Sequence, residues 1–160
     1  MANDKFPITQ GIRFLKSKKA NFEQFLYEYK EKGGTEQTTD LLGVSEHSVI
    51  KTIVFEDENG KGLICLMHGD KEISTKELAR QINCKSIATA SQEKSLKWTG
   101  YQFGGTSPFG TKTQLPIYAE KSIFDLDKIY INGGKRGFIL GISPNVLKDN
   151  LNIILVNVGI

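Results

Sequence analysis

The sequence predicts a mixed α/β domain of the α+β kind, built around one curved, mixed sheet. Three observations predict it. Short β-branched runs and helical apolar spacings follow one another in no fixed alternation, which argues against a regular βαβ repeat. Glycine-rich turns, rather than long linkers, separate the runs in the second half of the chain. No internal repeat, low-complexity tract or linker divides the 160 residues, so residues 1–160 are expected to form one domain with a real core.

The elements can be justified in order. Ile8, Ile12 and Leu15 recur at helical spacing around Thr9, a candidate N-cap, so a helix should run to Lys18 or Lys19. The aromatic-rich stretch from Asn21 to Tyr29 reads as a strand. Gly33-Gly34 breaks it, and Glu36 to Leu42 reads as a short helix stopped by Gly43. Val49 to Phe55 and Leu63 to Met67 flank an Asn59-Gly60 turn and predict a β-hairpin. Ser74-Thr75-Lys76-Glu77 is a capping box, with Ile73 and Leu78 as its hydrophobic staple, opening a helix to Ile82.

Ser86 to Ala88 is read as a short strand and Ser91 to Trp98 as a helix ended by Gly100. Leu115 to Ala119 is a strand, Ser122 to Leu126 a helical turn, and Lys128 to Asn132 and Phe138 to Ile142 are strands around a glycine turn. Ser143-Pro144 supplies a cap and a first-turn proline for a last helix to Leu151, and Ile153 to Val158 is a closing strand.

Composition narrows the class. Hydrophobic residues make up 39% and charged residues 24%, as in soluble globular proteins. No apolar run approaches the roughly 20 residues that cross a bilayer. The start, Met1-Ala2-Asn3-Asp4-Lys5-Phe6-Pro7, has no apolar signal core, so a cytoplasmic location away from membranes is expected. Cys65 lies in an apolar run and reads as a small buried hydrophobe. With only Cys84, His47 and His68 beside it, no metal and no cofactor is expected. The net charge of +3 permits contact with RNA phosphates without demanding it. Lys16, Lys18 and Lys19, and Lys94 with Lys97, read first as solvated surface charge.

Three features stand out chemically. Lys51 interrupts Val49 to Phe55 on the face shared by Val49, Ile53 and Phe55. It reads either as an edge-strand lysine that blocks aggregation or as an ammonium at the mouth of a pocket. The turn Gly104-Gly105-Thr106-Ser107-Pro108-Phe109-Gly110 can offer N–H groups to an anion or a carbonyl. It is neither a nucleophile elbow around Ser107 nor a Walker loop. The turn Gly133-Gly134-Lys135-Arg136-Gly137 reads as a second wall of the same pocket, or as a hairpin with a basic tip.

Val49-Ile50-Lys51-Thr52, Gly100 through Gly110, and Tyr130-Ile131-Asn132-Gly133-Gly134-Lys135-Arg136-Gly137 resemble the YbaK/EbsC family, free-standing relatives of the editing domain of bacterial prolyl-tRNA synthetase. The likeness runs from Ile8 to Val158, with the motifs in order. It implies a barrel-like mixed sheet with surrounding helices and an aminoacyl-tRNA deacylase, most closely of the branch that removes cysteine from mischarged tRNA(Pro) or tRNA(Cys). It implies catalytic roles for Lys51, Gly104 and Gly105. It implies substrate contacts from Tyr27, Thr52, Phe103, Thr106, Ser107, Pro108, Gly133, Gly134, Lys135 and Arg136. Mischarged tRNA is the implied partner, with prolyl-tRNA synthetase beside it.

Two positions depart from the cysteine branch: Asn132 replaces a serine, and Ile139 lies where an aspartate is usual. They leave the amino acid open, alanine included. A non-catalytic module holding aminoacyl ends, and a general phosphate or nucleotide binder, are the rival readings.

Overall fold

The computed structural model describes residues 6–31 and 33–160. Of the Met1–Pro7 stretch read for an apolar signal core, Met1 to Lys5 lie outside the described residues. Eight strands form one mixed sheet in the order β1-β7-β6-β2-β3-β5-β8, with β4 also paired to β2. The strands are β1 (Glu23–Leu26), β2 (Val49–Asp57), β3 (Gly62–His68), β4 (Ile87–Thr89), β5 (Ile117–Glu120), β6 (Ile129–Lys135), β7 (Phe138–Ile142) and β8 (Ile153–Val156). Among the described residues five α-helices surround them: α1 (Gln10–Ser17), α2 (Gly34–Leu42), α3 (Thr75–Gln81), α4 (Gln92–Thr99) and α5 (Asn145–Asn150).

Most elements lie where the periodicity puts them, and the caps explain their ends. The Thr9 hydroxyl accepts from the Ile12 N–H and starts α1. Ser91 does the same for α4 through the Lys94 N–H, and Gly100 ends it at φ +83°. Gly43 ends α2 at φ +66°. Only half of the capping box at α3 forms. Ser74 Oγ accepts from the Glu77 N–H at 3.2 Å, but the Ser74 N–H donates to the Val158 carbonyl. Glu77 turns instead to Arg80 and Gln81.

Three strands are shorter than expected. β1 spans only Glu23–Leu26, because its partner β7 begins at Phe138, opposite Leu26. β5 begins at Ile117, since Pro116 has no N–H to give to a ladder. β8 stops at Val156 as the chain turns toward Glu120. Three strands are longer: β2 runs on to Asp57, β3 runs from Gly62 to His68, and β6 continues through the glycine turn to Lys135, across a bulge between Asn132 and Lys135.

Both faces of the sheet are covered. On one, Ile50, Val54, Ile64, Leu66, Ile131 and Leu140 pack with Ile12 and Leu15 of α1 and Leu147 of α5. On the other, Phe55, Leu63, Cys65 and Met67 pack with Leu78 and Ala79 of α3. Lys51 shares this second face with Ile53 and Phe55.

The placement of β2 creates the site. Along one edge it pairs with β3 from Ile50↔His68 to Glu56↔Gly62. Along the other it pairs with β6 only at Val49 and Ile50, in parallel, and with β4 only at Phe55 to Asp57. The Val49 carbonyl accepts from Gly69 on the β3 side, and the Val54 carbonyl accepts from Ala90 on the other. Alternation therefore aims the N–H and C=O of Thr52 at the open edge, where no strand meets them.

The chain after β8 is tied down by a buried carboxylate. Glu120 is 4% exposed and accepts from the Val158 N–H at 2.7 Å and the Gly159 N–H at 2.9 Å. Glu120→Ala strands both donors. It is expected to lower the unfolding free energy by about 2–4 kcal/mol, from the usual cost of an unsatisfied buried donor. Urea unfolding measures this, and a variant of wild-type midpoint would show that water replaces the carboxylate.

Candidate functional site

A cavity of about 250 Å³ fills the gap beside Thr52. Its floor is Val49 to Ile53 of β2. One wall is Tyr27 and Tyr29 from the chain after β1, with Gly34, Thr35 and Thr38 from α2. The other is Gly104 and Thr106 of the first glycine turn, with Asn132 and Ile139 of the β6–β7 hairpin. Lys51 is the one formally charged side chain among these lining residues.

Lys51 is half-buried, and its Nζ donates to the Lys71 carbonyl. Tyr27 is held by its hydroxyl at 2.9 Å from Thr38 Oγ1. Thr52 Oγ1 is buried with no hydrogen-bond partner among the described residues, a state it shares only with Ser95 Oγ. An orphan hydroxyl on a cavity wall is costly in water-free surroundings and is relieved by a polar guest.

The first glycine turn is a pinned structure. Gly104 has φ +83°, a conformation that glycine adopts freely. The Gly105 N–H donates to the Gln102 carbonyl at 2.9 Å and is therefore occupied. The N–H groups of Gly104 and Thr106 have no partner among the described residues. Ser107 is fully buried, its hydroxyl accepting from the Phe109 N–H at 3.1 Å. Tyr101 donates its hydroxyl to the Phe109 carbonyl at 2.6 Å, and burial pushes its phenol up to about 12. Pro108 faces away, toward a second hollow between this loop, α1 and α5.

The second turn braces the first. Asn132 Nδ2 donates to the Gly104 and Lys135 carbonyls, each at 3.1 Å. Its Oδ1 accepts from the N–H groups of Gly134 at 2.7 Å and Lys135 at 3.1 Å. Arg136 Nε donates to the Phe103 carbonyl at 2.8 Å, and its guanidinium lies 5.2 Å from the Tyr29 ring centre. Thr9 at the start of α1 donates to the Gly133 carbonyl at 2.6 Å.

Of the residues singled out from sequence, Tyr27, Lys51, Thr52, Gly104 and Thr106 meet at the cavity. Phe103, Gly105, Ser107, Pro108, Gly133, Gly134, Lys135 and Arg136 lie behind or beside it. Tyr29, Thr35 and Thr38 were not anticipated. Thr35 and Thr38 share one face of a helix at three-residue spacing, a signal present in the sequence but overlooked.

The cysteines stand apart from the cavity. Cys65 is fully buried on β3, and burial pushes its thiol up to about 12. His47, His68 and Asp70 bring ligating atoms within 4.8 Å of one another. The two rings stack 3.7 Å apart at 7°, so their in-plane lone pairs run side by side instead of converging. Both nitrogens of His68 are engaged, by the His47 carbonyl and the Ser122 hydroxyl.

The profile of the aminoacyl-tRNA editing domain matches residues 30–149. This chain belongs to the aminoacyl-tRNA editing domain family. It is 24% identical over 145 residues to "Putative Cys-tRNA(Pro)/Cys-tRNA(Cys) deacylase EbsC" of Enterococcus faecalis, covering 90% of this chain and 88% of that protein. A proline–tRNA ligase of Thermodesulfovibrio yellowstonii is 31% identical over 153 residues, which are 91% of this chain and 26% of the ligase. The crystal structure of "a putative trans-editing enzyme for prolyl tRNA synthetase" shares the fold, with a TM-score of 0.82 at 18% identity over 94% of this chain and 95% of that one.

One consequence for Gly105 follows from the geometry. A Cβ there would lie 2.7 Å from the Arg136 nitrogen and 2.9 Å from the Lys135 carbonyl carbon, both backbone atoms. Gly105→Ala is therefore expected to lower stability by about 1–3 kcal/mol, as overpacking does. Thermal unfolding checks this. An unchanged Tm would mean that the turns separate without cost.

Proposed function

We propose that this editing-domain chain is an aminoacyl-tRNA deacylase that frees tRNA from a wrongly attached small, neutral amino acid, cysteine first. The observation that carries this reading is the cavity between Lys51 and the first glycine turn. It is just large enough for an aminoacyl group, has one ammonium and no carboxylate on its wall, and offers unpaired hydroxyl and N–H groups. Val49, Ile50, Ile53 and Ile139 make it apolar where a side chain would sit. A cationic side chain would find no counter-charge there.

Lys51 orients the aminoacyl end through its charge, after exchanging the Lys71 carbonyl for the substrate. The free N–H groups of the first glycine turn stabilise the oxyanion that develops on the ester carbonyl. The threonine and tyrosine hydroxyls on the cavity wall have no histidine or carboxylate among the lining residues to take their proton, which favours a nucleophile supplied by the substrate or by water. With cysteine, the substrate's own thiol sulfur bonds to its carbonyl carbon. The ester C–O bond breaks, the thiol proton goes to the departing 3′-oxygen of tRNA, and the amino acid leaves as a cyclic thioester. With alanine, a water must attack instead. Discrimination among tRNAs falls to a prolyl-tRNA synthetase partner, since the chain itself is only mildly basic.

Two measurements test this. Single-turnover deacylation of Cys-, Ala- and Ser-tRNA(Pro) should be fastest with cysteine. Cys65→Ser and Cys84→Ser should match the wild type, because neither thiol reaches the cavity. Faster cleavage of the alanyl ester would exclude thiol assistance as the main route, and a folded but dead cysteine variant would place the nucleophile on the protein.

Lys51→Ala and Lys51→Arg should each lose more than about a hundredfold in deacylation rate while keeping the wild-type Tm. Arginine fails because its planar fork does not replace a compact ammonium in a confined space. Wild-type rates with either substitution would remove Lys51 from the reaction.

A further inference from the structure

Asn132 lines the cavity, yet it has nothing left to offer a substrate. A carboxamide carries two N–H donors and two acceptor lone pairs. All four are spent on main chain: donations to the Gly104 and Lys135 carbonyls, and acceptance from the Gly134 and Lys135 N–H groups. The partners also dictate which end is nitrogen, since two are carbonyls and two are N–H groups. The side chain therefore acts on the two turns and not on a ligand.

What it holds is informative. The peptide unit between Gly104 and Gly105 is gripped at both ends, its carbonyl by Asn132 and its N–H by the Gln102 carbonyl. The preceding unit is gripped at its carbonyl, Phe103 O, by Arg136 Nε. In a trans peptide the N–H points opposite to the C=O. With the Phe103 carbonyl turned to Arg136, the Gly104 N–H turns the other way, and it is unpartnered among the described residues. Gly104 and Thr106 are the residues of this turn that border the cavity, and of the two it is Gly104 that lies between gripped peptide units. The positive φ of Gly104 sets the angle between the two gripped units.

We infer that Asn132 and Arg136 are positioning residues, which lock the first glycine turn so that the Gly104 N–H is the donor to the substrate's ester oxygen. The inference rests on the deacylase reading and adds to it the identity of the donor and of what aims it. Gly105, whose N–H is occupied, is part of the frame and donates nothing to the oxyanion. Arg136, which the sequence presents as part of a pocket wall or as the basic tip of a hairpin, spends its Nε on the Phe103 carbonyl and its face on Tyr29. An amide side chain suits this brace because it brings two donors and two acceptors to the two turns at once.

Asn132→Asp separates the two halves of the role. A carboxylate still accepts from Gly134 and Lys135, so the second turn survives. It cannot donate, and it faces the Gly104 carbonyl with like charge. The experiment uses the full chain and Cys-tRNA(Pro). It adds a non-cleavable analogue in which an amide replaces the ester to a terminal adenosine, and amide hydrogen exchange at Gly134 and Lys135. Asn132→Asp should lower kcat by about tenfold to a hundredfold, the scale of a misaimed catalytic group. KM, affinity for the analogue and protection at Gly134 and Lys135 should stay as in the wild type, since the lost contact matters only in the transition state. Asn132→Ala should lose both kcat and protection, and Arg136→Lys should lower kcat because a lysine cannot both bond the carbonyl and cover Tyr29.

Wild-type kcat in Asn132→Asp overturns the inference. So does a loss of kcat that comes only together with lost protection, for then Asn132 merely folds the hairpin. An active wild type beside an indifferent Asn132→Asp leaves the deacylase reading standing and removes the positioning role. A wild type that cleaves no aminoacyl ester removes both.

Discussion

A strand in the middle of a sheet normally spends its main-chain polar groups on two neighbours. Here β2 has a full neighbour on one side and two partial ones on the other, and the rest of the site is arranged around that shortfall. β6 leaves after Ile50 because the bulge between Asn132 and Lys135 turns it aside. β4 arrives only at Phe55. The unpaired edge between them, centred on Thr52, becomes part of the floor of a cavity, with Lys51 on one face and the unpartnered hydroxyl of Thr52 on the other. The floor therefore carries an ammonium and an unpartnered hydroxyl inside an otherwise apolar fold.

The walls are held by backbone as much as by side chains. The two glycine turns lie against each other so closely that Gly105 tolerates no Cβ, and Gly104 is roofed by the Tyr29 hydroxyl, 2.6 Å from where its Cβ would be. Behind them, Ser107, Tyr101 and Phe109 form a buried hydrogen-bonded support. The glycine-rich loop is thus rigid where its composition suggests freedom. The residues look permissive because the packing leaves no room for anything larger.

Much of this was legible in the sequence, and the illegible part has a common cause. Thr9, Ser91, Gly43 and Gly100 mark helix ends through local chemistry that does not depend on the fold. The β2–β3 hairpin shows in the Asn59-Gly60 turn between β-branched runs. Lys51 and the first glycine turn stand out because each breaks a local pattern. What could not be read are features set by distant partners. Ser74 loses its reciprocal cap to Val158, β1 stops where β7 begins, and Tyr29 reaches the cavity although nothing in its surroundings differs from those of Tyr27. The burial of Ser107 and the outward turn of Pro108 belong to the same class. A motif names the loop, but only packing decides which of its residues look inward.

The bond from the Thr9 hydroxyl to the Gly133 carbonyl spans 124 residues of chain. On a ribosome adding about 5–20 residues each second, Thr9 waits roughly 6–25 s for that partner to be made. Until then α1 has only the first glycine turn to lean on, and the cavity beside Lys51 lacks Asn132 and Ile139. The nascent chain therefore passes through its synthesis without a formed pocket. The cavity is complete only when β6 and β7 have been made.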